Sequence, residues 1–361
     1  MSFPKVAVQI LLYVTPPEEF DRLMGSLETV NYPKDCWKIV LVKNFSEAAR
    51  TPSEYVREKW LVKAGQTLPE IIFYEQTPNL GFAGGHVKAE ELSHDWRPDY
   101  LYLLNDDTWV APDFLLRVVT LAEEKKNAAL VQSLVMLDDG ERVNSIGNAM
   151  HFLGFGFALG HRQLLGEIKN DLPVFYTSGA GLLVRTSVLE KIGGLFDPLF
   201  IAYHEDLDLS WRARLAGFDI LLASESKIFH HYEFSKSIKK YYLMERNRHL
   251  TNFVNYKWPT LLLLVPAALI MESGTFLFSF RSGWWREKIR SWLYLFRPAT
   301  WLWIYRRRAL VKSFRLKTDR AMLPLMTGSV INQEVENPLL KFVANPFMEA
   351  YLWLLKKVVF W

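Results

Sequence analysis

The chain has 361 residues, half of them hydrophobic and 23% charged, a balance that excludes a disordered chain and predicts two or three structural units at roughly 150 residues each. Its single cysteine, Cys36, excludes an internal disulfide framework and a cysteine-rich zinc site, and it suits a reducing compartment. The net charge of +4 hides an asymmetry: residues 281–320 hold 12 Lys/Arg against Glu287 and Asp319, which leaves a mildly acidic body, and 8 of the 13 tryptophans lie at or beyond Trp258.

The first apolar run, 6–14, follows Lys5 and precedes Pro-Pro-Glu-Glu at 16–19. No small-residue cleavage site follows it, so it reads as a buried strand ending in a turn and a helix start, and the body is expected to stay in the cytoplasm. Strands are predicted at 6–13, 37–42, 71–74, 100–104 and 129–135. Helices are predicted between them at 17–29, 53–63, 84–93 and 112–125. Such alternation implies βαβ units and an α/β fold with a mainly parallel sheet covered on both faces. Ligands then sit beyond the carboxyl ends of the strands, which draws attention to the loops at 79–85 and 105–108. Residues 136–235 are less regular, with Gly147, Gly154, Gly156 and Gly160 marking a loop-rich connection. A strand at 181–185, a short helix at 187–192, the Gly193-Gly194 turn and a stronger helix at 205–215 follow. A boundary falls near 236, where aromatic-basic helices begin.

Four segments can carry chemistry. Asn105-Asp106-Asp107 places adjacent carboxylates at a strand end, where a hard divalent cation can bridge protein to phosphate; the same residues also make an ordinary turn. The glycine loop 79–85 permits close backbone approach to an anion at a helix start, although it matches neither the dinucleotide nor the P-loop pattern, and a plain tight turn serves as well. In 203–212, Leu207, Trp211 and Leu215 form a buried stripe, while Asp208 and Arg212 can pair four residues apart. Three acids and His204 within five residues exceed what helix capping needs, so Asp206 is a candidate proton acceptor. His230-His231 can complete a divalent site, and the lysines at 236, 239 and 240 can neutralise a diphosphate.

The order of these features, Asn-Leu-Gly-Phe-Ala-Gly-Gly, Leu-Asn-Asp-Asp-Thr, Ser178-Gly-Ala-Gly-Leu-Leu-Val-Arg185, Gly193-Gly-Leu-Phe-Asp197, Glu-Asp-Leu-Asp-Leu-Ser-Trp-Arg and His-His with Ser235, resembles family 2 glycosyltransferases, and within them a bacterial rhamnosyltransferase-like branch, over residues 5–255. The resemblance implies a GT-A type fold and inverting transfer from a nucleotide-diphosphate sugar. It makes Asp107 the contact to Mg²⁺ or Mn²⁺, with His230 assisting and His231 as a substitute, and Asp206 the catalytic base beside Glu205. Donor contacts are implied at Tyr13, Thr15, Asn44, Asn79, Gly81, Gly85, Asp106, Lys236, Arg246 and Asn247. Contacts to acceptor or sugar are implied at Gly179, Ala180, Asp208 and Arg212. Residues 1–235 then form the catalytic domain, with 1–125 binding nucleotide sugar and 126–235 the acceptor. Two positions depart from the pattern: Lys43 stands where an Asp before Asn44 is usual, which unsettles the nucleobase contact, and His86 stands where Asn is common.

Residues 259–280 contain one charge, Glu272, and a central Pro266. Their uncharged core, 261–271, is shorter than a clean transmembrane helix. One imperfect span, an interfacial helix and a soluble core helix compete. Trp292, Trp301 and Trp303, interleaved with Arg290, Arg297 and Arg306–Arg308, favour monotopic attachment of 236–361 to anionic lipid at the cytoplasmic face of the membrane. Long aliphatic runs beside the arginines argue against nucleic acid. A membrane position favours a glycan acceptor carried on a polyprenyl lipid. A glycoside hydrolase and a non-catalytic sugar- or nucleotide-binding protein are the competing functional classes.

Overall fold

The structure is a computed structural model that describes residues 3–167, 174–231, 239–331 and 338–361. The first half follows the predicted alternation: β1 (Val6–Leu12), α1 (Pro17–Leu27), β2 (Trp37–Asn44), α2 (Ser53–Lys59), β3 (Glu70–Gln76), α3 (Gly81–Ser93), β4 (Tyr100–Asn105), β5 (Thr108–Val110), α4 (Phe114–Glu124) and β6 (Ala128–Leu137). Short strands β7 (Val143–Ser145), β8 (Asn148–Met150) and β9 (Gly156–Ala158) fill the loop-rich stretch. Then come β10 (Gly181–Arg185), α5 (Thr186–Ile192), α6 (Glu205–Leu215) and β11 (Asp219–His230).

The sheet order is β3-β2-β1-β4-β10-β6-β11-β5, with β7 on β6. β1, β2, β3 and β4 pair in parallel, as do β6 and β11, while β10 and β5 run against their neighbours. Residue alternation divides the core into two layers. Val6, Val8, Ile10 and Leu12 face Phe20, Leu23 and Met24 of α1 and Phe114 and Val118 of α4. Ala7 and Leu11 face Ala83 and Ala89 of α3, Val188 and Ile192 of α5, and Leu209 and Ala213 of α6. The sheet is also curled. Asn105 and Thr108 are three residues apart, a reach of at most ~11 Å. Four strand spacings separate β4 from β5, which would span ~19 Å in a flat sheet. Asp106-Asp107 therefore forms a short chord across the curled edge, a turn closed by the Thr108 hydroxyl donating to Asn105 O at 2.7 Å.

The helix predicted at 53–63 ends at Lys59, and the start of α3 also differs from expectation. Helix α3 begins at Gly81 rather than at residue 84, because the Asn79 carboxamide accepts the Gly81 N–H at 2.7 Å and the Ile201 carbonyl accepts that of Ala83 at 2.9 Å. The glycines thus form the first helical turn.

After the strands come α7 (Lys239–Asn255), α8 (Trp258–Arg281), α9 (Trp285–Leu295), α10 (Pro298–Phe314), α11 (Asp319–Met322) and α12 (Asn345–Val358). A third core joins Leu207, Trp211 and Leu215 of α6 to Val254 of α7, Leu264, Ala267 and Met271 of α8, and Met348 and Leu352 of α12, so the chain packs continuously across residue 236. α8 is continuous through Pro266, and it is the one helix among the described residues long and apolar enough to cross a membrane. It buries Thr260, Leu264, Ala267, Met271 and Ser279 against the protein. On its other side Leu262, Leu269 and Leu277 are 73%, 64% and 65% exposed.

Candidate active site

Asp106, Asp107, His230 and Asp206 lie at one edge of the sheet. Parallel strands β1 and β4 end there, and reversed β10 begins there. Asn105 donates its backbone N–H to Ala180 O at 3.2 Å, which ties the acidic chord to the segment preceding β10. Asp106 is held from the β1 side: its Oδ2 accepts the Tyr13 N–H at 2.9 Å, and the Thr15 hydroxyl bonds it as well. Burial, and then the neighbouring Asp107 carboxylate, push Asp106 up to about 7.

Asp107 lies at the turn into β5, with its side chain one-third exposed. Its Oδ1 is 3.0 Å from His230 Nε2 and accepts no hydrogen bond. Two donors to a hard divalent ion bound at ~2.1 Å and at right angles lie ~3.0 Å apart, so this oxygen and nitrogen fit Mg²⁺ or Mn²⁺. His231 does not join them. Successive residues at a strand end point to opposite sides, and the His231 ring turns to Asp138, while its backbone N–H donates to Asp107 O at 2.9 Å. On that side a cavity of about 310 Å³ lies between Asp107, His231, Asp138 and Glu18, Glu19 and Arg22 of α1.

Glu205 and Asp206 open α6. Asp206 Oδ1 accepts the Leu207 N–H at 2.8 Å and Oδ2 accepts the Gly179 N–H at 3.3 Å. Burial raises Asp206 to about 6, with the two backbone N–H groups holding it below a fully desolvated value. Glu205 is buried, its Oε2 has no hydrogen-bond partner, and burial with the adjacent Asp206 pushes its carboxyl well above the usual range. Asp206, at about 6, is mostly ionised at neutral pH and able to accept a proton. Gly179 also lies against the Phe82 ring, where a Cβ would approach to 3.1 Å. Asp206, Gly179, the start of α3 and, through Ala180 and Asn105, the metal-competent chord are thus brought together.

Several expected ligand contacts prove to be internal braces. Asn44 is buried, with its Nδ2 donating to Gly81 O at 3.1 Å and its Oδ1 accepting from Leu80 N; Asn79 also donates to Phe45 O at 2.9 Å. Both hold the glycine loop from within. Gly85 allows α3 to lie against β1, since a Cβ there would meet Leu11 at 2.9 Å. Gly81 has φ +70° and faces Ile201 O, which a Cβ would meet at 2.5 Å. Asp208 and Arg212 do not reach a ligand. They form a fully buried ion pair at 2.7 Å, and the guanidinium also donates to the carbonyls of Ile192, Gly194 and Leu195. Arg246 and Asn247 are buried and donate to backbone carbonyls at 199–203 rather than facing the edge. Lys236, like Ser235, lies outside the described residues. Lys43 donates to Ser53 Oγ at 2.8 Å beside Glu75 and Arg57 at the end of β2.

A second acidic group lies away from this edge. Glu245, His249 and Glu272 bring donor atoms within 4.8 Å of one another. Both carboxylates are already neutralised by Arg248 and Lys288, with Arg248 2.7 Å from Glu245 and Lys288 2.7 Å from Glu272. Two anions facing two cations make a balanced ion-pair lock between α7, α8 and α9. The lone charge at 272 was the only sequence signal of it.

The curled, mainly parallel sheet with its acid-bearing edge is that of a GT-A glycosyltransferase. The profile of "Glycosyl transferase family group 2" matches residues 100–310, and the chain belongs to that family. It is 25% identical over 248 residues to the N-acetylglucosaminyl-diphospho-decaprenol L-rhamnosyltransferase of Mycobacterium tuberculosis, covering 63% of this chain and 73% of the relative. It is 27% identical over 150 residues to the uncharacterized protein y4gI of Sinorhizobium fredii, covering 39% of this chain but only 16% of that protein. Among solved structures, GalNAc-T7 with UDP, GalNAc and Mn²⁺ superimposes with a TM-score of 0.52 at 15% identity, over 70% of this chain and 48% of that one, a likeness of fold.

Proposed function

We propose that the chain moves a sugar, rhamnose or another hexose, with inversion from a nucleotide-diphosphate donor to a hydroxyl of a glycan acceptor. The observation that carries this reading is the placement of two different acids on one edge: Asp107 beside His230, and Asp206 against the Gly179 N–H. Asp107 and His230 would hold the divalent ion, which when bound would stabilise negative charge on the departing diphosphate. Asp106, fastened by Tyr13 and Thr15, orients the chord so that Asp107 faces outward. Asp206 takes the proton of the incoming hydroxyl at its carboxylate oxygen as that hydroxyl attacks the anomeric carbon from the face opposite the leaving group. Burial and the Asp206 carboxylate push Glu205 toward its neutral form, which limits the negative charge beside the attacking oxygen.

The acceptor is proposed to be carried on a polyprenyl lipid, in the assembly of cell-surface polysaccharide. Support comes from the Mycobacterium tuberculosis relative, whose name specifies a decaprenol-linked substrate, and from the exposed apolar side of α8. Glu272, inside α8, is tied to Arg248 of α7 and Lys288 of α9. That tie favours α8 lying along the cytoplasmic face of the membrane over crossing it, since a span would strand those charges in hydrocarbon. Residues 1–235 are proposed as the catalytic part and 236–361 as the membrane-associating part, divided by role even though their cores are continuous.

The test is a thermal-shift screen of UDP-, dTDP- and GDP-sugars with and without Mn²⁺, since a ligand of the folded state raises its melting point. One donor is expected to stabilise the chain only with the ion present, and to release its nucleotide when a lipid-linked glycan is added. Equal stabilisation of Asp107→Ala would refute the metal assignment, and undiminished transfer by Asp206→Asn would remove the base.

A further inference from the structure

The segment just before the proposed base has a backbone that L-residues rarely adopt. Ile201, Tyr203 and His204 have φ of 65°, 68° and 69°, and for a β-branched residue such as Ile201 this is a genuine outlier. Such a conformation persists only where the surroundings over-determine it. Here one surface of α7 does so. The Asn247 amide nitrogen lies 2.9 Å from Phe200 O, 2.9 Å from Ala202 O and 2.7 Å from Tyr203 O. Arg246 donates to Leu199 O at 2.6 Å and Phe200 O at 3.1 Å. It also donates from Nε to Asn247 Oδ1 at 2.9 Å, which fixes the direction in which that amide points.

The held segment joins both halves of the site. Its Ile201 carbonyl accepts the Ala83 N–H in the first turn of α3, where Gly81 leaves it room. Its far end, His204, caps α6, bonds Gly154 O at 3.1 Å and leads directly into Glu205-Asp206. Releasing the carbonyls would let 201–204 relax to ordinary φ values, and with them the start of α6 that aims Asp206 at Gly179.

We propose that Asn247, oriented by Arg246, is a positioning residue: it clamps the strained 199–204 segment so that the α6 N-terminus and the glycine turn of α3 keep one fixed relation. This rests on Asp206 acting as the base. The clamp itself touches no substrate. Arg248, the next residue, is bonded to Glu272 of α8 and to Leu153 O, so the helix carrying the clamp is also braced against the apolar helix.

Hydrogen–deuterium exchange on the full-length chain reads the clamp without any ligand. Asn247→Ala and the isosteric Asn247→Asp, which keeps Arg246's partner but loses both N–H donors, are expected to raise exchange across 199–206 by ~10-fold or more. Peptides from β1, β4 and β6 should stay at wild-type rates, which shows that the chain remains folded. With the donor selected by the thermal-shift screen, both variants should lose roughly 100-fold in kcat with the donor KM within ~3-fold, as a small misplacement of a catalytic group requires. Unchanged exchange across 199–206 overturns the clamp. So does raised exchange with a wild-type kcat, which reduces Asn247 to a merely structural bond. Failure of the base reading is seen separately, as wild-type turnover by Asp206→Asn with loop protection intact.

Discussion

Lowering the pH tests the base most directly. Burial raises Asp206 to about 6, against the pull of the Leu207 and Gly179 N–H groups. A base works only when deprotonated, so kcat/KM should rise with pH through that value. A group titrating at about 6 is ~90% ionised at pH 7 and ~10% at pH 5, which predicts a roughly tenfold loss in kcat/KM between them. Stability should move the other way. A carboxyl whose folded-state value is raised favours folding at low pH, and that contribution is lost as pH rises through about 6. Asp206→Asn removes both effects: kcat should fall by ~100- to 10,000-fold, and the melting temperature at pH 7 should rise by about 2 °C or more. Initial rates at saturating metal from pH 4.5 to 8, with melting curves in the same buffers, supply the measurement. A flat kcat/KM profile between pH 5 and 7, or an Asp206→Asn variant that melts lower at pH 7, would refute the reasoning.

Asp107→Ala should abolish Mn²⁺-dependent stabilisation by nucleotide sugar in the thermal-shift assay, while the melting temperature without ligand stays near wild type, because Asp107 contributes no buried hydrogen bond through Oδ1. Asp208→Ala leaves the Arg212 guanidinium buried beside carbonyls without its counter-ion, and should cost ~3–5 kcal/mol in denaturant unfolding. A loss below ~1 kcal/mol would show that the pair is not sealed from water. Replacing Leu262, Leu269 and Leu277 together by Ser should remove ~4 kcal/mol or more of lipid contact, about 1000-fold in partitioning. Flotation with vesicles containing phosphatidylglycerol should then leave the variant at the bottom of the gradient, and equal flotation would refute docking through this side.

Period and turn chemistry made the sheet legible. Strand 6–12 and helix 205–215 were readable because all seven strand residues are buried between helix layers and because Leu207, Trp211 and Leu215 repeat at helical spacing. The acids stood out only through the order of the motifs around them, since Asn-Asp-Asp at a strand end equally makes an ordinary turn. Which polar residues face a ligand was not legible. Asn44, Arg212 and Asn247 are types that suit a binding site, yet each is engaged with backbone carbonyls brought near by folding, and a linear pattern carries no record of those partners. His230 and His231 show the same limit at single-residue scale: only the register of β11 on β5 decides which ring meets Asp107. The positive φ values at Ile201, Tyr203 and His204 had no sequence signal, because Ile and Tyr are the wrong residue types for that conformation and a lone His does not mark it.

Strand β10 opposes both of its neighbours. β6 therefore leaves the sheet and β10 re-enters it at the same rim, where Asn105 bonds Ala180 and Asp206 accepts the Gly179 N–H. The connection between them pairs β7 with β6 and seats Met150, Phe152 and Phe175 in the third core, so the same segment that starts and ends at this rim also grips the C-terminal helices. A reversed strand in this way mechanically couples the acid-bearing rim to the helical region, and a disturbance on one side is carried to the other through a single stretch of backbone.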